Sequence, residues 1–98
     1  MLRKWEIDIE QLRKKVGNGA ILVDVRSIQE YEEGHINEAI WIAEHEIPFK
    51  CESLLPDKNK EIIIYCQNGG RSRRAYRRLM KLGYKNVFSL CGGLDNLY

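Results

Sequence analysis

The stretch Ile62-Ile63-Ile64-Tyr65-Cys66-Gln67-Asn68-Gly69-Gly70-Arg71-Ser72 holds the chain's densest chemistry. A β-branched run ends on a cysteine, a glycine-bearing turn follows, and an arginine opens what reads as a helix. A thiol in that position faces backbone N–H groups and the positive end of a helix dipole, equivalent to about half an elementary charge. Such surroundings favour the thiolate, the form that attacks. Gly69 and Gly70 tolerate positive φ, so successive amides can turn inward as an anion-binding nest. Arg71 does not lose its charge, and its planar fork suits an oxyanion such as a sulfonate or carboxylate. Ser72 can cap the helix or offer a further hydroxyl. Cys66 thus reads as a nucleophile that needs no histidine base, and Gln67, Asn68, Gly69, Gly70, Arg71 and Ser72 read as the loop that binds its substrate. The plainer alternative is an ordinary Asn68-Gly69 turn behind an inert core cysteine.

The elements around this loop follow from periodicity. Residues 61–66 read as the central strand and residues 72–82 as the clearest helix. On that helix Ala75, Tyr76, Leu79, Met80 and Leu82 share one side, and Arg73, Arg74, Arg77, Arg78 and Lys81 the other. Gly83 is its natural stop. Upstream, Asp8 caps a short helix over 9–16 that ends at Gly17-Asn18-Gly19. Residues 20–25 form a continuous apolar run, as expected of a strand buried on both faces. Ser27 followed by Glu30 makes a capping box, and the helix it starts stops at Gly34. Residues 39–42 suit a short strand, and 48–55 a helix broken by Pro56-Asp57. Residues 86–90 suit a last strand, and Gly92-Gly93 a turn before a short helix. Strands alternating with helices imply an α/β fold with a mainly parallel sheet. The Cys66 loop then lies at a strand's carboxyl end, where such sheets bind ligands.

Composition narrows the function further. The chain has 98 residues, 44% hydrophobic and 31% charged, which suits one soluble domain with its own core. Its longest unbroken apolar run is far short of the roughly 20 residues that a bilayer span requires. The first residues lack the pattern of an export signal, so a cytoplasmic location and no membrane partner are the expectations. Three cysteines (Cys51, Cys66 and Cys91) and two histidines (His35 and His45) show no metal-ligand spacing, and neither a metal nor a disulfide framework is expected. A net charge of +2 does not argue for nucleic acid, although six cations and no acid lie between Arg71 and Lys81. The basic face from Arg73 to Lys81 is either a solvated surface or a means of drawing anionic donors or an acidic partner. Cys91 could be a resolving thiol or a silent structural one.

Five segments in order resemble the rhodanese-like sulfurtransferase family in its single-domain form. They are Val23-Asp24-Val25-Arg26-Ser27, Glu30-Tyr31-Glu32-Glu33-Gly34-His35-Ile36, Ala39-Ile40, Ile64 to Ser72, and Leu90-Cys91-Gly92-Gly93-Leu94. Asn37-Glu38 stands where the family pattern has a proline and a glycine. The resemblance implies a single rhodanese-like domain over 1–98, with a mainly parallel sheet of about five strands flanked by helices on both faces. It implies that Cys66 takes a sulfane sulfur from thiosulfate or a similar donor, holds it as a persulfide without any other cofactor, and passes it to cyanide, a thiol or a protein. Asp24, Arg26, Glu30 and His35 match recurring family positions. They are expected to brace the site as a charged network, with Arg26 pairing a carboxylate such as Glu30. The related phosphatases and arsenate reductases carry one more residue between cysteine and arginine than the four found here. A small phosphatase or reductase and a non-catalytic interaction module of the same fold are the rival expectations.

Overall fold

The computed structural model describes residues 2–97. Its framework is a five-stranded sheet of β1 (Glu6–Ile7), β2 (Ile21–Asp24), β3 (Ile40–Trp41), β4 (Ile62–Tyr65) and β5 (Val87–Leu90). The strands lie in the order β1-β5-β4-β2-β3, and every neighbouring pair is parallel. The helices α1 (Ile9–Gly17), α2 (Ile28–Glu33), α3 (Ile47–Leu54) and α4 (Gly70–Lys81) supply the crossovers.

Side-chain alternation along the central strands sorts the core into two layers. Val23, Ile62, Ile64 and Cys66 point to one face, where Ile47 and Cys51 of α3 and Ala75 and Leu79 of α4 cover them. Leu22, Ile63 and Tyr65 point to the other, against Leu12 of α1 and Tyr31 of α2. The Ile62–Ile64 run is fully buried because both faces of β4 are roofed. Each such isoleucine contributes roughly 1.5–3 kcal/mol relative to exposure. The α/β architecture expected from the sequence is the one observed, with helices on both faces.

Local signals set the helix ends. Asp8 accepts from the Gln11 amide while the Gln11 side chain accepts from the Asp8 amide, and Ser27 and Glu30 repeat that arrangement on α2. Tyr84 turns its hydroxyl toward the carbonyls of Cys51 and Leu55 at 3.0 and 2.6 Å, which closes the end of α3.

Four details depart from the sequence reading. β1 is too short to leave a periodic signature; it exists because Glu6 and Ile7 register with Ser89 and Leu90, and Trp5 stacks on Tyr76 at 4.3 Å. A 3₁₀ turn, Glu44–Glu46, precedes α3, and α3 starts at Ile47. α4 starts at Gly70, two residues earlier than the apolar pattern indicates. Met80 and Leu82 do not share the buried side of α4. They are 41% and 37% exposed, because the sheet covers only the stripe through Ser72, Ala75 and Leu79.

Candidate active site around Cys66

β2, β4 and β5 end at the same edge of the sheet, so Arg26, Cys66 and Cys91 follow their last residues. The chain leaves β4 at Cys66, turns through Gly69 in the left-handed conformation (φ 99°), and enters α4 at Gly70. Only Gly69 uses the freedom expected of both glycines, since Gly70 is already helical.

Two loop amides point at the cysteine sulfur. The Gly69 N–H donates to Cys66 Sγ at 3.1 Å and the Ser72 N–H at 3.3 Å. Both belong to the N-terminus of α4, so the helix dipole adds its positive end at the same point. The Ser72 hydroxyl does not cap the helix with an accepting oxygen. It donates back to the Gly69 carbonyl at 3.2 Å and lies 3.5 Å from Sγ. Ser89 of β5, which the sequence reading passed over, donates its hydroxyl to Ser72 Oγ at 2.9 Å and is itself buried. A lone serine within an apolar strand was the only available signal for it. Gly70 donates to Asn68 Oδ1 at 3.0 Å, which holds the turn shut.

The segment after β5 forms the loop's floor. The Leu94 amide donates to the Cys66 carbonyl and the Asp95 amide to that of Gln67, at 3.0 and 2.9 Å. Gly93 (φ 61°) lies so close that a Cβ there would collide with the Cys66 carbonyl oxygen. The Gln67 side chain spans this floor to β2, donating to Asp95 at 2.7 Å and accepting from Arg26 Nη1 at 3.3 Å.

Two arginine–carboxylate pairs flank the loop, and their partners differ from those expected. Arg26 pairs with Asp24, not Glu30: Nη2 lies 2.7 Å from Oδ2, and Nε is 3.1 Å from both carboxylate oxygens. This pair is almost fully buried, and Arg26 also donates to the Gly34 carbonyl. Glu30 pairs instead with Arg71, through Nη1–Oε1 at 2.6 Å and Nη2–Oε2 at 3.0 Å. The Arg71 guanidinium, aided by the Ser27 hydrogen bonds, holds the Glu30 carboxyl down at about 2 against the opposing effect of burial. Arg71 is pushed above its ordinary range first by the hydrogen bonds it donates to Glu30, with burial opposing. The fork that the sequence offered to an incoming oxyanion is therefore occupied.

His35 stays outside both pairs. Its ring stacks on Tyr31 at 3.7 Å and its Nδ1 sits 2.8 Å from the Tyr31 carbonyl. It lines a cavity of about 610 Å³ beside the loop, together with Arg26, Glu30, Glu33, Gln67 and Leu94. Cys66 itself does not reach that cavity: it is fully buried beneath the loop. The loop's own inward turn is the reason, since amides aimed at Sγ place backbone over it.

All three cysteines are free. Cys51 is packed in α3, while Cys91 is part-exposed and opens onto a cavity of about 150 Å³ that Cys66 does not line. The basic face of α4 is half neutralised, since Arg71, Arg73 and Arg74 meet Glu30, Glu6 and Glu44. No helix among the described residues is long and apolar enough to cross a membrane.

A parallel sheet with a cysteine at a strand end, its sulfur held by the first amides of the next helix, defines a class of α/β domains. The profile of the Rhodanese-like domain matches residues 8–98, and the chain belongs to that family. It is 35% identical over 91 residues to a sulfurtransferase of Allochromatium vinosum, covering 91% of this chain and 83% of that protein. It is also 38% identical over 79 residues to the tRNA uridine(34) hydroxylase of Sodalis glossinidius, but spans only 22% of that protein's length. The human single-domain sulfurtransferase TSTD1 superposes with a TM-score of 0.83 at 26% identity, over 97% of this chain and 96% of that one.

Proposed function

We propose that this chain is a sulfurtransferase that carries sulfur on Cys66. The observation that carries the reading is the pair of N–H groups from Gly69 and Ser72, both aimed at Sγ. Such donors stabilise a sulfur anion without a base, much as an oxyanion hole stabilises an alkoxide. In the first half-reaction the Cys66 thiolate attacks the outer sulfur of a sulfane donor. With thiosulfate, the S–S bond breaks and sulfite leaves with the electron pair. Cys66 then bears a terminal persulfide anion. In the second half-reaction a nucleophilic acceptor (cyanide, a thiol or a protein cysteine) takes the outer sulfur and returns the thiolate. The amides of Gln67, Asn68 and Arg71 donate to no acceptor among the described residues, so they are free to hold the added sulfur. Two half-reactions through a covalent enzyme give ping-pong kinetics. The likeness to the Allochromatium sulfurtransferase supports the class of reaction, and a cytoplasmic site is part of the proposal.

The burial of Cys66 favours a second reading, an interaction module that retains the cysteine without using it. Intact-mass measurement after incubation with a sulfane donor separates the two. The enzyme gains one sulfur atom, and Cys66→Ala, with an unchanged fold, gains none. Absence of any adduct on the wild type decides for the module. Hydrolysis of an aryl phosphate would revive the phosphatase reading.

A further inference from the structure

The exposed side of α4 carries a row of cations that its surroundings leave largely unmatched. Arg74, Arg77, Arg78 and Lys81 fall at the i, i+3, i+4 and i+7 spacing of a single helix face, opposite the buried stripe of Ser72, Ala75 and Leu79. Glu44 meets Arg74 at 2.6 Å, but Arg77, Arg78 and Lys81 have no ion-pair partner among the described residues. Like charges at this spacing destabilise a helix. The negative end of the helix dipole eases only the last turn, which holds Arg78 and Lys81. The row leads toward the active site, since the Ser72 amide that donates to Cys66 Sγ lies two residues before Arg74.

Fixed cations in a line draw and orient an acidic surface. Phe49 adds an apolar point beside them. It projects from α3, which packs next to α4 on the same face of the sheet, and is 81% exposed. Aromatic and arginine side chains together are typical of protein interfaces. A nucleic-acid strand fits less well, because Tyr76 of α4 is already stacked on Trp5 and offers no free ring to a base. We infer that the exposed face of α4 docks an acidic partner protein, and that this protein accepts the sulfur from Cys66. The second part rests on the sulfurtransferase reading above. A cysteine thiolate of the docked partner attacks the outer sulfur of the Cys66 persulfide, its thiol proton having passed to solvent. The S–S bond breaks, Cys66 leaves as its thiolate, and the partner holds the sulfur as its own persulfide.

The test follows sulfur transfer from pre-loaded protein to two peptides of equal length, each with one cysteine. One is rich in glutamate, and the other has glutamine in its place. At about 150 mM salt, the wild type should use the glutamate peptide about tenfold more efficiently, through a lower KM. Arg77→Glu combined with Arg78→Glu should bring that ratio to one or below. Arg77→Gln with Arg78→Gln gives the same comparison should the reversed pair fold poorly. Arg13→Glu with Lys14→Glu makes the same change of net charge on α1, across the sheet, and should leave the ratio as it is. Binding of the same peptides to unloaded protein, read by fluorescence anisotropy, should follow the same order. A wild-type ratio near one, a ratio unchanged in the α4 variants, or an equal loss in the α1 variant overturns the docking surface. Tighter binding of an oligouridylate than of the glutamate peptide assigns the face to nucleic acid and also overturns it. A wild type that takes up no sulfur overturns the acceptor step together with the sulfurtransferase reading, and anisotropy then decides the docking by itself.

Discussion

Two arginine–carboxylate pairs stand side by side at the end of the sheet, in opposite environments. Asp24–Arg26 has side chains only 0% and 5% exposed, whereas Glu30–Arg71 is 32% and 31% exposed. The buried pair is saturated: Arg26 also donates to the Gly34 carbonyl and to Gln67, and Asp24 also accepts from the Arg26 amide. It locks the end of β2 to the segment after α2 and, through Gln67, to the loop. Among the described residues, the part-exposed pair is held further only by the Ser27 amide and hydroxyl, which both donate to Glu30 at 3.1 Å, and solvent reaches both its side chains. Burial thus divides the labour, with one pair serving as a fixed joint and the other as an adjustable neighbour of the Cys66 loop.

The largest effect should come from breaking the joint. Asp24→Ala leaves Arg26 charged and unpaired in the interior, and should destabilise the fold by about 3–5 kcal/mol in urea titration. A loss below 1 kcal/mol would mean that both pairs behave as surface pairs. Next is the loop's floor. Gly93→Ala must place a Cβ against the Cys66 carbonyl from a left-handed backbone, and should cost about 2 kcal/mol or more and slow sulfur loading. A smaller loss, about 1 kcal/mol, is expected from Ser89→Ala, which takes a buried hydroxyl from Ser72; thermal melts would register it as a modest lowering of Tm.

The smallest effect is that of the adjustable pair. Glu30→Gln should lower stability at neutral pH by less than about 1 kcal/mol, because solvent screens the pair. Its pH dependence is more telling than its size. The folded carboxyl is held at about 2, below its ordinary 4.5, so the contribution is complete above the higher value and disappears as pH falls through the lower one. The difference between wild type and Glu30→Gln should therefore be constant above about pH 5 and close toward zero near pH 2. A difference that persists there would assign the effect to capping rather than charge.

The segments that carry strong local signals were legible from the chain. The Ile62–Ile64 run, the capping boxes and the glycine after Asn68 each state a preference satisfied within a few residues, and the structure honours them. β1 was not legible, because a two-residue strand exists only through its register with β5. The apolar face of α4 was read too widely, since periodicity marks a stripe and the sheet decides how much of it is covered. At the site, Cys66 and its amide cradle were foreseen from the order strand, cysteine, glycine turn and helix. The pairing of charges was not.

Glu30 shows where the division falls. Its place three residues after Ser27 determined that it would close a capping box, because that contact spans one helical turn. Its other partner, Arg71, lies 41 residues away. Two arginines carry the same charge, and nothing in their order along the chain distinguishes the one that Glu30 will meet. Packing α2 and α4 on opposite faces of one sheet brings Glu30 and Arg71 together at its edge, and leaves Asp24 to Arg26. The sequence determined the central strands, the two capping boxes and the place of the sulfur; the tertiary structure alone decided how deeply that sulfur is covered and which charges stand beside it, because burial and long-range pairing depend on distances that chain order does not specify.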